Sequence, residues 1–189
     1  MRAFIAATLS SDARATLAAY QDTLKHTIVD GVRWTPAEQL HITLRFMGEC
    51  APETVTPLRT LVRRVASETP PIQAAWQPTA DAFPHRQSPR ILWAGLTTGE
   101  DGVTLLARHV EAGVVALGFP PETRAFHAHV TLGRVDGLAR TIGRRLDAAA
   151  ARLPETPWLL QTVALIDSRL LPQGAIHTVM EEAELQGGV

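Results

Sequence analysis

Cysteine is almost missing: Cys50 is the only one in 189 residues. That excludes an intramolecular disulfide and any zinc cluster built on several thiolates. A reducing, cytoplasmic setting is expected. No stretch approaches the roughly 18 apolar residues that span a bilayer, and the run at 112–119 is interrupted by glycines, so no membrane is expected as a partner. The opening MRAFIAATLSSDAR turns polar too soon for a secretory leader and reads as a strand. Charge of one sign is lacking too. The formal net charge of -1 leaves only weak attraction to long polyanions. Among the basic residues lysine is nearly absent, with Lys25 alone beside 17 arginines. Arginine, with its planar fork of donors, still suits a local phosphate site on a neutral protein. Also absent are HExxH, a glycine-rich GK[ST] loop and a GxSxG elbow, which leaves zinc-protease, ATP-loop and serine-hydrolase chemistry without their usual residues.

What is present is a globular composition, 46% hydrophobic and 20% charged, of a length that suits one domain or two packed lobes. Apolar segments bounded by turn residues predict strands at 2–9, 32–35, 40–46, 72–82 (broken near Pro78), 91–96, 128–134, 158–166 and 175–180. Helical periodicity predicts helices over 12–28, 53–66, 101–117 and 138–153. A turn is expected at 171–174, and the tail after Leu185 should fray. This order lacks Rossmann glycine loops and has no low-complexity linker. The expected fold class is α+β, with two lobes spanning 1–189 as a single domain.

The sharpest signal is internal. HITL at 41–44 recurs as HVTL at 129–132, 88 residues later. Strand side chains alternate between faces, so His41 and Thr43 share one face while Ile42 and Leu44 take the other. His129 and Thr131 share a face in the same way. If a pseudo-twofold axis relates the lobes, both His-Thr faces line one central cleft. A phosphoryl group there meets two imidazoles and two hydroxyls. One neutral imidazole can take a proton from water and the opposite imidazolium can protonate a leaving oxygen. Threonine hydroxyls can donate to non-bridging oxygens. A duplicated fold whose polar faces have no catalytic role stays open as the alternative.

The paired motifs and their surroundings resemble the two-histidine phosphoesterase superfamily, specifically the RNA 2',3'-cyclic phosphodiesterase branch also described as 2'-5' RNA ligase-like. The likeness runs through RAFIAATL, WTPAEQLHITLRFMGE (34–49), FPHRQSPRILWAGL (83–96), GFPPETRAFHAHVTLGR (118–134) and LIDSRLLPQGAIHTVM (165–180). It implies a bilobal, pseudo-twofold duplicated fold with antiparallel sheets lining the cleft and helices outside. It further implies hydrolysis of an RNA 2',3'-cyclic phosphate end to a 2'-phosphomonoester without metal or cofactor, with 2'-5' ligation as a related reaction; a monomer is expected. His129 is then the base, His41 the acid, and Thr43, Thr131 and Arg134 bind phosphate. Phe4 flanks the nucleotide. A non-catalytic RNA-end binding module, or a phosphoesterase acting on another cyclic or 2'-5' linked nucleotide, are the competing readings. Ala128 stands where proline often precedes the second motif, and His177 where relatives often carry an aromatic; an exposed strand position is expected for His177.

Further substrate contacts are read from position. Arg45 has the parity of His41 and Thr43, which puts it on the cleft side of a regular strand. Arg134 has the wrong parity and reaches phosphate only if the strand ends or twists at Gly133. His85, Arg86 and Arg90 lie in a polar, proline-rich loop able to touch phosphates along an RNA strand. His127 shares the face of His129 if the strand already starts there. Trp34, Trp76, Trp93 and Trp158 fall in four elements and are expected in the core rather than as a stacking ladder.

Overall fold

The computed structural model describes residues 1–171 and 174–187. Among the described residues ten strands and four α-helices form an α+β fold: β1 (Arg2–Thr8), α1 (Ser11–Thr27), β2 (Val32–Trp34), β3 (His41–Glu49), α2 (Val55–Glu68), β4 (Ile72–Trp76), β5 (Asp81–Phe83), β6 (Ile91–Thr98), α3 (Glu100–Ala116), β7 (His129–Val135), α4 (Ala139–Ala148), β8 (Trp158–Leu160), β9 (Thr162–Leu171) and β10 (Gly174–Glu184). The strands make one curled antiparallel sheet in the order β10-β9-β1-β3-β7-β6-β4-β8, with β2 on β7 and β5 on β6. No helix among the described residues is long and apolar enough to cross a membrane.

Local chemistry accounts for the elements. β1 reads RAFIAAT and is buried through Ala3–Ala7, as a strand covered on both faces must be. α1 starts where the Ser10 hydroxyl accepts from the Ala13 N–H, with Asp12 in its first turn and Lys25 and His26 in its last, matching the helix dipole. α2 shows Leu58, Leu61, Val62, Val65 and Ala66 to the core at helical spacing. α4 stops at Ala148 instead of reaching residue 153, because buried Leu153 donates its N–H to the Pro78 carbonyl and draws the chain out straight. β3 passes through Gly48 and closes at Glu49, since glycine accepts the positive φ of 74° there. The expected turn at 171–174 includes Pro172 and Gln173, which lie outside the described residues.

The two half-chains are interleaved rather than stacked side by side. β4, from the first half, pairs with β6 and β8; β9, from the second half, returns to pair with β1. β3 and β7 meet in the middle at Ile42 and Val130, both fully buried. The large core lies on the helix side of the sheet, whereas Phe4, Ala6, Ala164 and Ile166 form a small apolar cluster on the other face.

Candidate active site

The pairing of Ile42 with Val130 fixes the centre of the site. In an antiparallel ladder that register sets His41 across from Thr131 and Thr43 across from His129, all four on the face opposite the buried Ile42 and Val130. A local twofold axis between the two strands relates the motifs. Both strands carry the same burial sequence, half-buried at histidine and threonine and buried between.

Each strand has a β-bulge one residue past its motif. Against β1, Ala6 faces Thr43 and Ile5 faces Arg45, so Leu44 is the extra residue. Against β6, Trp93 faces Thr131 and Leu92 faces Gly133, so Leu132 is extra. The extra residue restarts the alternation; this reverses the expectation for Arg45 and supplies, next to Gly133, the irregularity that the Arg134 reading required. Arg45 turns away from the histidine face to the helix side, where it is buried against Glu111 of α3 at 2.6 Å. Parity predicted the opposite, because a regular strand was assumed. Arg134 comes round onto the histidine face, exposed, opposite Ile91. Phe46, exposed, holds the matching place on β3, with the Arg2 guanidinium 5.0 Å from its ring centre.

Both imidazoles are oriented by a carbonyl two residues upstream. His41 Nδ1 lies 2.7 Å from Gln39 O, and His129 Nδ1 lies 2.8 Å from His127 O. A carbonyl only accepts, so Nδ1 carries the proton in each ring and Nε2 holds the lone pair. His41 Nε2 accepts from the Thr43 hydroxyl at 3.0 Å. Burial pushes His41 down to about 4, against the bond to Gln39; His177 and His129 lower it further. Burial also lowers His129 and His177.

Aromatic rings enclose each histidine. Phe4 stacks on His41 at 4.8 Å, and His177 meets both edge-on, 5.5 Å from His41 and 5.1 Å from Phe4. His177 is therefore packed beside the first motif, not a free strand residue. A cavity of about 450 Å³ opens here, lined by His41, His177, Arg14, Glu38, Ile176 and Glu182 among others. Around His129 stand Phe83 at 5.1 Å, Trp93 at 6.1 Å and His127 at 6.1 Å. Phe83 and Trp93 stack on each other at 4.9 Å. Trp93 is buried, as its apolar strand suggested, and it also packs beside the second motif. Its pairing with Thr131 across the bulge is invisible without the partner strand. His127 has its Nδ1 3.8 Å from Glu100 and its ring edge-on to Trp93 at 4.7 Å.

The remaining candidates separate. Arg86 bonds Asp147 of α4 at 2.7 Å and the Ala80 carbonyl, so it ties the 83–90 loop to the protein instead of offering itself to phosphates. His85 is exposed in the same turn, its carbonyl accepting from Ser88. Arg90 is exposed, with its backbone bridging Phe83 and Val135.

The chain is similar to known proteins along nearly its whole length. The family model described as LigT like Phosphoesterase matches residues 8–93 and 97–177. An RNA 2',3'-cyclic phosphodiesterase of Methanothermobacter thermautotrophicus is 31% identical over 189 residues, covering 96% of this chain and 97% of the relative. One from Thermus thermophilus is 30% identical over 197 residues, covering 99% and 91%. Among solved structures, TT0787 of Thermus thermophilus matches with a TM-score of 0.80 at 29% identity, covering 99% of both chains. E. coli LigT in apo form shares the fold, with a TM-score of 0.76 at 22% identity and coverage of 97% and 96%.

Proposed function

The chain belongs to the LigT-like phosphoesterases, and from that membership we propose that it opens a terminal RNA 2',3'-cyclic phosphate to a 2'-phosphomonoester by opposed imidazole acid and base. The observation that carries this reading is the Ile42–Val130 register, which sets two His-x-Thr faces side by side on one sheet surface. The names of the similar relatives supply the substrate class.

His129 Nε2, left with its lone pair by the bond from Nδ1 to His127 O, takes a proton from water as the water oxygen attacks phosphorus. The bond from phosphorus to the 3'-oxygen breaks, and His41, protonated on Nε2, gives its proton to that oxygen. Thr43, Thr131 and Arg134 donate to the non-bridging oxygens. His41 is held neutral in the free protein. A bound phosphodiester anion brings the opposite charge beside it and raises its affinity for a proton, so substrate and acid arrive together. Every atom transferred comes from water, substrate or the two rings, and no step calls on a metal. An RNA 5'-hydroxyl in place of water turns the same chemistry towards 2'-5' ligation.

The test is product analysis on a short oligonucleotide ending in a 2',3'-cyclic phosphate, with excess chelator. A 2'-phosphate product is expected, with turnover unaffected by the chelator. His41→Ala and His129→Ala should each lose at least about 100-fold in kcat while keeping the folded spectrum. Undiminished turnover in either variant rejects the mechanism; tight binding of the oligonucleotide without turnover in wild type favours an RNA-end binding module.

A further inference from the structure

Arg45 sits in the first motif strand, yet it reaches Pro120 and Glu122 in the segment that leads into the second motif. Its guanidinium donates to the Pro120 carbonyl and to Phe46 O at 3.0 Å, and it pairs with Glu111 at 2.6 Å and Glu122 at 3.5 Å. Glu111 in turn accepts the Glu122 N–H at 2.8 Å. Glu122 also accepts from the Thr123 and Arg124 amides, and its bond to Arg124 holds its carboxyl down at about 2, so it stays ionised. The approach segment at 120–128 is thereby pinned at its start, and it runs through the His127 carbonyl that orients His129.

The second motif strand does the same in reverse. Leu132 O, at the bulge of β7, accepts from the Thr35 N–H at 2.9 Å and from Gln21 Nε2 at 2.8 Å. Gln21 is buried, and its Nε2 also donates to Thr35 O at 2.9 Å. Thr35 begins the segment that runs through Pro36 and a single 3₁₀ turn at Ala37–Gln39 to the Gln39 carbonyl that orients His41. Each strand thus holds, just past its own motif, the lead-in to the other. A buried arginine and a buried glutamine make the two connections, both from the helix side of the sheet.

We infer that Arg45 and Gln21 are positioning residues forming a reciprocal brace, in which each motif strand sets the imidazole of the opposite motif. Arg45 acts on His129 and Gln21 acts on His41. Only the kinetic consequence rests on the proposed hydrolysis; the orientation of the rings does not.

The ring tautomers are read by nitrogen-15 NMR of the whole protein at a pH where both histidines are neutral. Wild type should show Nδ1–H at His41 and His129. Arg45→Met should lose that preference at His129 and keep it at His41. Gln21→Leu should do the reverse. In turnover, each should lose about tenfold or more in kcat with KM changed by less than about twofold, because misplacement of a reacting group costs rate rather than binding. Arg45→Lys, which keeps the charge without the fork, should recover part of the loss. Should Arg45→Met fail to fold, the double variant Arg45→Met/Glu111→Gln removes the charge without leaving that carboxylate unpaired, and the same His129-specific change is expected. Unchanged tautomers in folded variants overturn the brace, as does equal disturbance of both histidines by each substitution. Absence of turnover in wild type removes the kinetic readout and leaves the tautomer readout to decide.

Discussion

At His41 and His129 the physical question is which nitrogen holds the proton and how willingly the other accepts one. The two upstream carbonyls answer the first, and burial answers the second by lowering both rings. A working acid–base pair needs one ring protonated and one neutral, and its two apparent titrations belong to the pair. Since both lie below 6.5 in the free protein, the optimum of kcat/KM is expected below pH 6.5. The optimum of kcat should lie at higher pH, because the bound anion raises the acid. An optimum of kcat/KM above neutrality contradicts this. Thr43→Val and Thr131→Val, which remove one donor each, should lower kcat by about 10- to 100-fold with the protein still folded.

The same burial sets a stability cost in acid. Unfolded, the His41 ring takes a proton near 6.5; folded, only near 4. Between those values the unfolded chain binds more protons, so stability is complete above 6.5 and falls as pH drops towards 4. The full effect is about 2–3 kcal/mol, allowing for partial exposure of the ring. His41→Gln should flatten that part of a plot of urea midpoint against pH, and an unchanged slope would speak against the burial. The histidines were legible in the sequence because a duplicated strand motif carries its own face assignment. Arg45 and Arg134 were not, since a bulge is a property of two paired strands and neither HITLRF nor HVTLGR announces the extra residue.

Among the elements, the bulged strands and the loop-packed helix show where pattern reading succeeds and where it stops. The strands and helices are marked by their turn residues and apolar spacing, and nearly all start within a few residues of expectation. Helix α4 is overread because alanines favour helix locally, while the Leu153–Pro78 bond is a contact between distant segments. Gly143 gives a sharp test on the same helix. By propensity alone Gly143→Ala should stabilise an exposed helix by about 1 kcal/mol. A Cβ there would run into the Arg86 backbone oxygen, so the helix or the 83–90 loop must move. The expected result is net destabilisation of about 1–3 kcal/mol in thermal or urea unfolding; a gain in stability would show that this contact is loose.

For the molecule as a whole, interleaving matters more than duplication. The repeat of the motif suggested two packed lobes within a single domain. The sheet order gives their make-up: it lends β4 to the second half and returns β9 and β10 to the first. Nothing within either half of the sequence reveals that exchange, because strand pairing partners are set by the packed whole. With the halves sharing strands and meeting at Ile42 and Val130, the two sides of the site should unfold together. Calorimetry should show one transition whose calorimetric and van't Hoff enthalpies agree; two separated transitions would mean that the halves are independent.

Opposed imidazoles around one phosphorus are tested most directly by a crystal structure of the protein with a nucleoside vanadate, whose trigonal bipyramid mimics phosphorus under attack. His129 Nε2 is expected within hydrogen-bond distance of the apical oxygen that stands for water, and His41 Nε2 at the apical 3'-oxygen, with Thr43 and Thr131 on the equatorial oxygens. A complex in which only one of the two rings touches the vanadate would contradict the two-histidine reaction.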